Sequence, residues 1–217
     1  MSSTSAAVIA IAAVLCATPG SAQGHEVGVG VVQPPLDPER PLYFYGTPLP
    51  GADPVTATPV DSVTFAAGEH FVGIETAPPW FVPEGLKLDY DLLWLRARTL
   101  TQAWIEVEVN ARDPRPRSTP ETAWIAREGV SFRPWAEFLL EVYSVEALDP
   151  ESNPIRTNPH PNAEATGESS GRPLRPLAVR GNWLRVEAAD GTEANRATGW
   201  VRWRGDGVLL VSFSMLS

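Results

Sequence analysis

The chain has 217 residues, enough for one large or two small domains, and its 43% hydrophobic and 20% charged residues suit a folded chain and exclude long disorder. Its 22 Pro and 17 Gly imply many turns and few long helices, while eight Trp supply apolar surface for more than one small core. A net charge of −9 argues against nucleic acid or anionic membrane surfaces as partners, since no long basic patch offsets it.

Residues 1–22 read as a secretory signal peptide. Residues 6–15 (AAVIAIAAVL) form an apolar run, Pro19 and Gly20 break it, and Gly20-Ser21-Ala22 places small residues at −3 and −1 of a cleavage site. The n-region has no Lys or Arg, so its charge is the terminal amine alone. The run is too short for a spanning helix, which needs about 20 residues, and no later apolar segment is longer. Cys16, the only cysteine, lies inside this segment and follows Leu15 rather than the small residue of a lipoprotein site. Cleavage after Ala22 leaves a chain with no disulfide, thiolate ligand or cysteine nucleophile. The expected location is the periplasm or the cell exterior.

Residues 23–40 are rich in Gly and Pro, and Pro34, Pro35 and Pro38 predict an extended linker in place of a central strand. Beyond it the apolar runs are short. Residues 42–45, 71–74, 92–97, 104–109, 123–126 and 138–145 read as strands. The clearest is WIEVEV at 104–109, where Ile105, Val107 and Val109 face one way and Glu106 and Glu108 face solvent, which is period two. The turn cluster DPESNP at 149–154 predicts a domain boundary. Further runs at 155–156, 174–179, 183–187, 199–203 and 208–213 are separated by turns at 180–182, 189–191 and 205–207. The fold class is therefore all-β, a small barrel or sandwich type.

The two halves repeat each other. Trp104-Ile105-Glu106-Val107 matches Trp183-Leu184-Arg185-Val186, and Ala123-Trp124-Ile125 matches Gly199-Trp200-Val201. Phe138-Leu139-Leu140-Glu141-Val142-Tyr143-Ser144 pairs with Val208-Leu209-Leu210-Val211-Ser212-Phe213-Ser214, and Leu95-Arg96-Ala97-Arg98 with Leu177-Ala178-Val179-Arg180. The first copy carries an extra stretch that includes residues 77–85, with three prolines.

Residues 179–186 (VRGNWLRV) followed by Thr198-Gly199-Trp200-Val201 resemble the bacterial SH3-like (SH3b) domain, with its Gly-polar-Trp-Leu-x-Val strand and later Gly-Trp-Val. The likeness covers residues 153–217 best and residues 41–149 loosely, and Ala123 stands where the family usually has Gly. It implies two tandem SH3-like small β-barrels, the first over residues 41–149 with an inserted loop and the second over residues 150–217. Gly181 and Gly199 would serve a tight turn with positive φ or a close strand approach. The resemblance also implies a non-catalytic module, without cofactor, that binds a cell-wall peptide or glycan or an envelope protein.

Trp104, Trp124, Trp183 and Trp200 recur in both copies and are expected in the cores. Tyr43, Tyr45, Trp80, Trp94, Trp135 and Trp203 do not all recur, and several sit beside Pro or Arg, so they are the candidate ligand-binding aromatics. Leu42-Tyr43-Phe44-Tyr45 superficially resembles the aromatic motif lining peptide grooves in eukaryotic SH3 domains, without its Asp. His25, His70 and His160 are too scattered for a metal site. Asp89 and Asp91, two apart, would share one face of a strand; a hydrolase would need this pair, or one carboxylate from each half at a shared cleft. The one locally basic loop is at 112–117 (RDPRPR), and no GxSxG or glycine-rich phosphate loop occurs. The leading expectation is an exported binding module. The alternatives are an assembly protein whose barrels pack together without a small-ligand groove and, more remotely, a carboxylate-dependent hydrolase.

Overall fold

The computed structural model describes residues 27–111, 119–189 and 198–216. The signal-peptide segment, Cys16, His25, the basic loop at 112–117 and most of the turn at 189–191 lie outside the described residues. The chain is mostly β, arranged in several sheets.

β1 (Gly30–Gln33) is followed by a long excursion holding β2 (Leu42–Phe44), β3 (Asp61–Ala67), β4 (Val72–Thr76) and β5 (Gly85–Lys87). A meander follows: β6 (Leu92–Leu100), β7 (Trp104–Glu108) and β8 (Thr122–Ala126), then β9 (Ser131–Pro134). The first large sheet has the order β8-β7-β6-β1-β9, with β5 added on β6, and β2-β3-β4 form a separate three-stranded sheet. The segment expected to be a linker therefore supplies a central strand. Val31 and Val32 are β-branched and buried, and the prolines come just after the strand, where they end the ladder without costing it a donor.

After β9 the chain forms α1 (Trp135–Glu141), then β10 (Ser144–Ala147), β11 (Leu174–Arg180), β12 (Trp183–Ala188), β13 (Thr198–Arg202), the short pair β14 (Arg204–Gly205) and β15 (Val208–Leu209), and β16 (Val211–Ser214). The strand expected over 138–145 is thus mostly helix. Trp135, Phe138, Leu139 and Val142 recur at helical spacing and are all buried, and Pro134, with its fixed φ, stands at the N-cap.

The second large sheet has the order β13-β12-β11-β10-β16, and its registers reproduce the first. Val32 lies opposite Leu95 and Phe132, and Val145 opposite Leu174 and Phe213. Glu106 faces Trp124, as Arg185 faces Trp200. Both long hairpins carry a bulge at the same place, between Ala97 and Thr99 and between Pro176 and Ala178. The duplication is real at the level of register, but two of the sequence alignments shift. Arg96 corresponds to Arg175, and the counterpart of β16 is β9, not the 138–144 segment. The turn at 149–154 lies between β10 and β11 of one sheet, so the change from one sheet to the other falls at α1.

Each sheet continues past its meander edge through a single bridge: Tyr45 to Trp124 beyond β8, and Arg156 to Trp200 beyond β13. Two cores result. One lies between the first sheet and β2–β3, with Phe44, Leu93, Leu95, Ile105 and Ile125 fully enclosed. The other joins α1 and the second sheet to Val27, Val31 and Trp94 of the first unit. Among the described residues no helix is long and apolar enough to cross a membrane.

Candidate functional site

β2 alternates strictly. Leu42 and Phe44 point into the core, which leaves Tyr43 and Tyr45 on the outer face. Tyr43 is 43% exposed and Tyr45 is half-buried. Tyr45 is held by two backbone hydrogen bonds: its amide donates to the Trp124 carbonyl at 2.8 Å, and the Trp124 amide donates to the Tyr45 carbonyl at 3.0 Å.

The two phenols help line a concavity of about 320 Å³. Its floor and walls come from three segments brought together by the sheet: the prolines that follow β1, residues 39–42 entering β2, and the turn between β8 and β9. Pro34, Pro35 and Pro41 give it rigid apolar walls, while Glu39, Arg40 and Glu128 put charge on it. Gly129 has φ +79° in that turn, and a Cβ there would lie 3.4 Å from the Arg40 guanidinium. The glycine supplies the left-handed residue of the turn, and an added Cβ would only touch Arg40 at ordinary contact distance.

A second concavity of about 360 Å³ adjoins the first and shares Tyr45. Its other aromatic wall is Trp104, whose ring meets Tyr45 edge-on at 5.0 Å and whose indole N–H donates to the Ala52 carbonyl at 2.8 Å. Burial, and secondarily the neighbouring Tyr43 phenol, hold the Tyr45 pKa above the ordinary tyrosine value.

The other candidate aromatics do not reach this surface. Trp94, Trp135 and Trp203 are 6%, 2% and 2% exposed and belong to the core shared by the two units, and none of them lines either concavity. Trp135 packs against Phe138 at 5.8 Å and Trp203 at 6.5 Å, and Trp203 donates its indole proton to the Gly181 carbonyl at 2.9 Å. Trp80 is half-buried with its edge on Phe44 at 5.2 Å. Of the recurring set, Trp104 and Trp183 are buried, and Trp124 and Trp200 are half-buried.

Asp89 lies in a single 3₁₀ turn (Leu88–Tyr90) and Asp91 caps it in the left-handed region at φ +54°, so the two do not share a strand face, and both are exposed. Glu108, expected to face solvent, is buried, with Arg96 and Arg98 of the neighbouring β6 against its carboxylate. Arg98 contacts its carboxylate at 3.2 Å and Arg96 at 3.9 Å, and Arg96 also pairs with Glu84 at 2.8 Å. Among the described residues no cluster of three His, Cys, Asp or Glu side chains is placed to hold a metal ion.

Comparison with family models, with curated proteins and with solved structures returns no match.

Sequence reasoning reached Tyr43 and Tyr45 but missed Pro34, Pro35, Arg40 and Glu128. The prolines looked like linker, and Arg40 and Glu128 are brought together by tertiary pairing across the sheet. The one local signal was Glu128-Gly129, a turn dipeptide directly ahead of a strand.

Proposed function

We propose that this is an exported, non-catalytic binding protein of two SH3-like units, and that the first unit recognises an extended cell-envelope peptide, either a peptidoglycan stem peptide or a segment of a protein partner. The observation that carries this reading is the concavity on which Tyr43 and Tyr45 converge with three prolines and Arg40. Such a surface offers flat apolar walls for side chains, phenolic hydroxyls for backbone groups, and one cation among two carboxylates for the charged ends of a peptide. The SH3-like assignment is supported by the strand order of each sheet and by the repeated bridge at Trp124 and Trp200.

In the second unit the residue equivalent to Tyr45 is Arg156, and its guanidinium is tied to the Ala163 carbonyl at 2.6 Å. Recognition is accordingly assigned to the first unit alone. A second reading, that of an assembly scaffold, is favoured by the burial of Trp94, Trp135 and Trp203 between the units.

Co-sedimentation of the chain lacking residues 1–22 with purified peptidoglycan sacculi, at low and high salt, tests the proposal. Retention at both salts that is lost in Tyr43→Ala, with an unchanged circular dichroism spectrum, is the expected result. No retention at either salt would leave the scaffold reading, to be pursued by pull-down from envelope extracts.

A further inference from the structure

The duplication supplies an internal comparison of two sheet edges. β9 and β16 hold the same place in their sheets, each paired among the described residues on one side only, with β1 and β10 respectively. β9 is protected in the ways natural sheets protect an edge. Arg133 carries a charge, engages Glu141 and Gln33, and is followed by Pro134, which has no N–H to offer. β16 has none of these devices. Residues 208–216 (VLLVSFSML) contain no charged residue and no proline, and among the described residues no backbone hydrogen bond occupies the outer edge of β16.

The strand is also self-complementary. Val211 and Phe213 face the core side, while Ser212 and Ser214 are exposed on the other. An antiparallel pairing with a two-fold axis through Phe213 sets Phe213 opposite its own copy and Ser212 opposite Ser214 of the second copy. Apolar side chains then meet apolar ones and hydroxyls meet hydroxyls, both favourable cross-strand pairs. Charge favours the same place. A chain of net charge −9 repels its own copy over most of its surface, and this edge carries no charged side chain to oppose the approach.

We propose that β16 is a homodimerisation edge, through which two copies join their second sheets into one ten-stranded antiparallel sheet. The contact is a short strand pair, so the dimer is a weak one with a dissociation constant in the micromolar range, formed by closed two-fold symmetry and going no further. The surface is separate from the Tyr43 concavity, so its test is independent of the proposed ligand.

Sedimentation equilibrium of the chain lacking residues 1–22 over a range of concentrations tests this. The expected result is a monomer–dimer equilibrium. Backbone amides of residues 211–214 should exchange more slowly as concentration rises. Ser212→Lys combined with Ser214→Lys sets like charges directly opposite each other in the pair, and should weaken the dimer at least about ten-fold. Both serines are exposed, so the circular dichroism spectrum should be unchanged; Ser62→Lys on β3 serves as the control. A monomer at all concentrations up to about 0.5 mM would overturn the proposal. So would a dimer that withstands the double substitution, or one in which exchange at 211–214 does not respond to concentration.

Discussion

The indole of Trp135 donates its proton to the carbonyl of Val27, and the Val27 amide in turn donates to the Gly207 carbonyl at 2.7 Å. Val27, three residues ahead of β1, thus binds both the helix that follows the first sheet and the hairpin turn of the second unit. Around this link Trp135, Phe138, Trp94, Trp203 and Phe213 form a continuous aromatic cluster with ring separations of 5.0 to 6.5 Å. The two units therefore stand or fall together.

Trp135→Ala should cost about 3–5 kcal/mol, the usual penalty for truncating a buried indole. Urea unfolding followed by fluorescence and by circular dichroism should give one coincident transition in the parent and in the variant. Residues 144–217 expressed alone lack Val27, Val31, Trp94 and α1, and should show no cooperative transition. Two separated transitions in the whole chain would contradict a shared core.

Glu108 and Glu187 occupy equivalent registers, facing Thr122 and Thr198, yet their surroundings differ. The Glu108 side chain is 1% exposed between two arginines, whereas the Glu187 side chain is 10% exposed and pairs with Arg175, whose side chain is 56% exposed. Glu108→Gln should cost about 3 kcal/mol, because it removes a buried anion shared by two arginines, with Glu84 still on Arg96 and Glu121 still on Arg98. Glu187→Gln should cost less, about 1–2 kcal/mol, because Glu187 is buried but its arginine partner remains largely hydrated. Denaturant midpoints at equal m-values measure both, and equal losses would refute this ordering.

Gly199 is needed for close approach. A Cβ there would fall 2.3 Å from the Ile155 Cγ2 and 2.9 Å from the Arg156 carbonyl oxygen. Gly199→Ala should destabilise by about 1–3 kcal/mol through overpacking. The counterpart Ala123 already carries a Cβ, so Ala123→Gly should cost only about 0.5–1 kcal/mol, from backbone entropy. Thermal unfolding of the two variants is the check.

The fold favours the neutral phenol of Tyr45, since burial raises its pKa. Its contribution to stability is fully present below the ordinary tyrosine pKa of about 10. It is lost as pH rises through the higher folded-state value. The urea midpoint should fall as pH is raised from about 9 to 11, and Tyr45→Phe should flatten that fall. A slope unchanged by the substitution would assign the alkaline loss to other groups.

Much of the first-order architecture was legible because it is local. Period-two alternation marked β7, the Trp pairs marked β7 and β12 as copies, and Gly181, found at φ +59°, was identifiable as a turn residue. Where local rules compete, they misled. Residues 135–142 carry a helical spacing of Trp, Phe, Leu and Val, but also the same apolar letters as β16, and only packing against the second sheet selects the helix. The prolines at 34 and 35 are compatible with a linker or with the end of a strand. Pairing of Val31 and Val32 with both β6 and β9 decides between them.

The sequence by itself determined that this is a duplicated, turn-rich β chain with acidic charge and an aromatic-rich interior. Those properties depend on residue type and on spacing along the chain. Which aromatics are covered, which carboxylate is buried and where a concavity opens were decided only by the tertiary structure. Glu106 and Glu108 have the same periodicity, and Tyr43 and Trp94 are both large aromatic residues. What separates the members of each pair is the segment, distant in sequence, that lies across them, and the chain-entropy cost of bringing it there is met by contacts throughout both sheets.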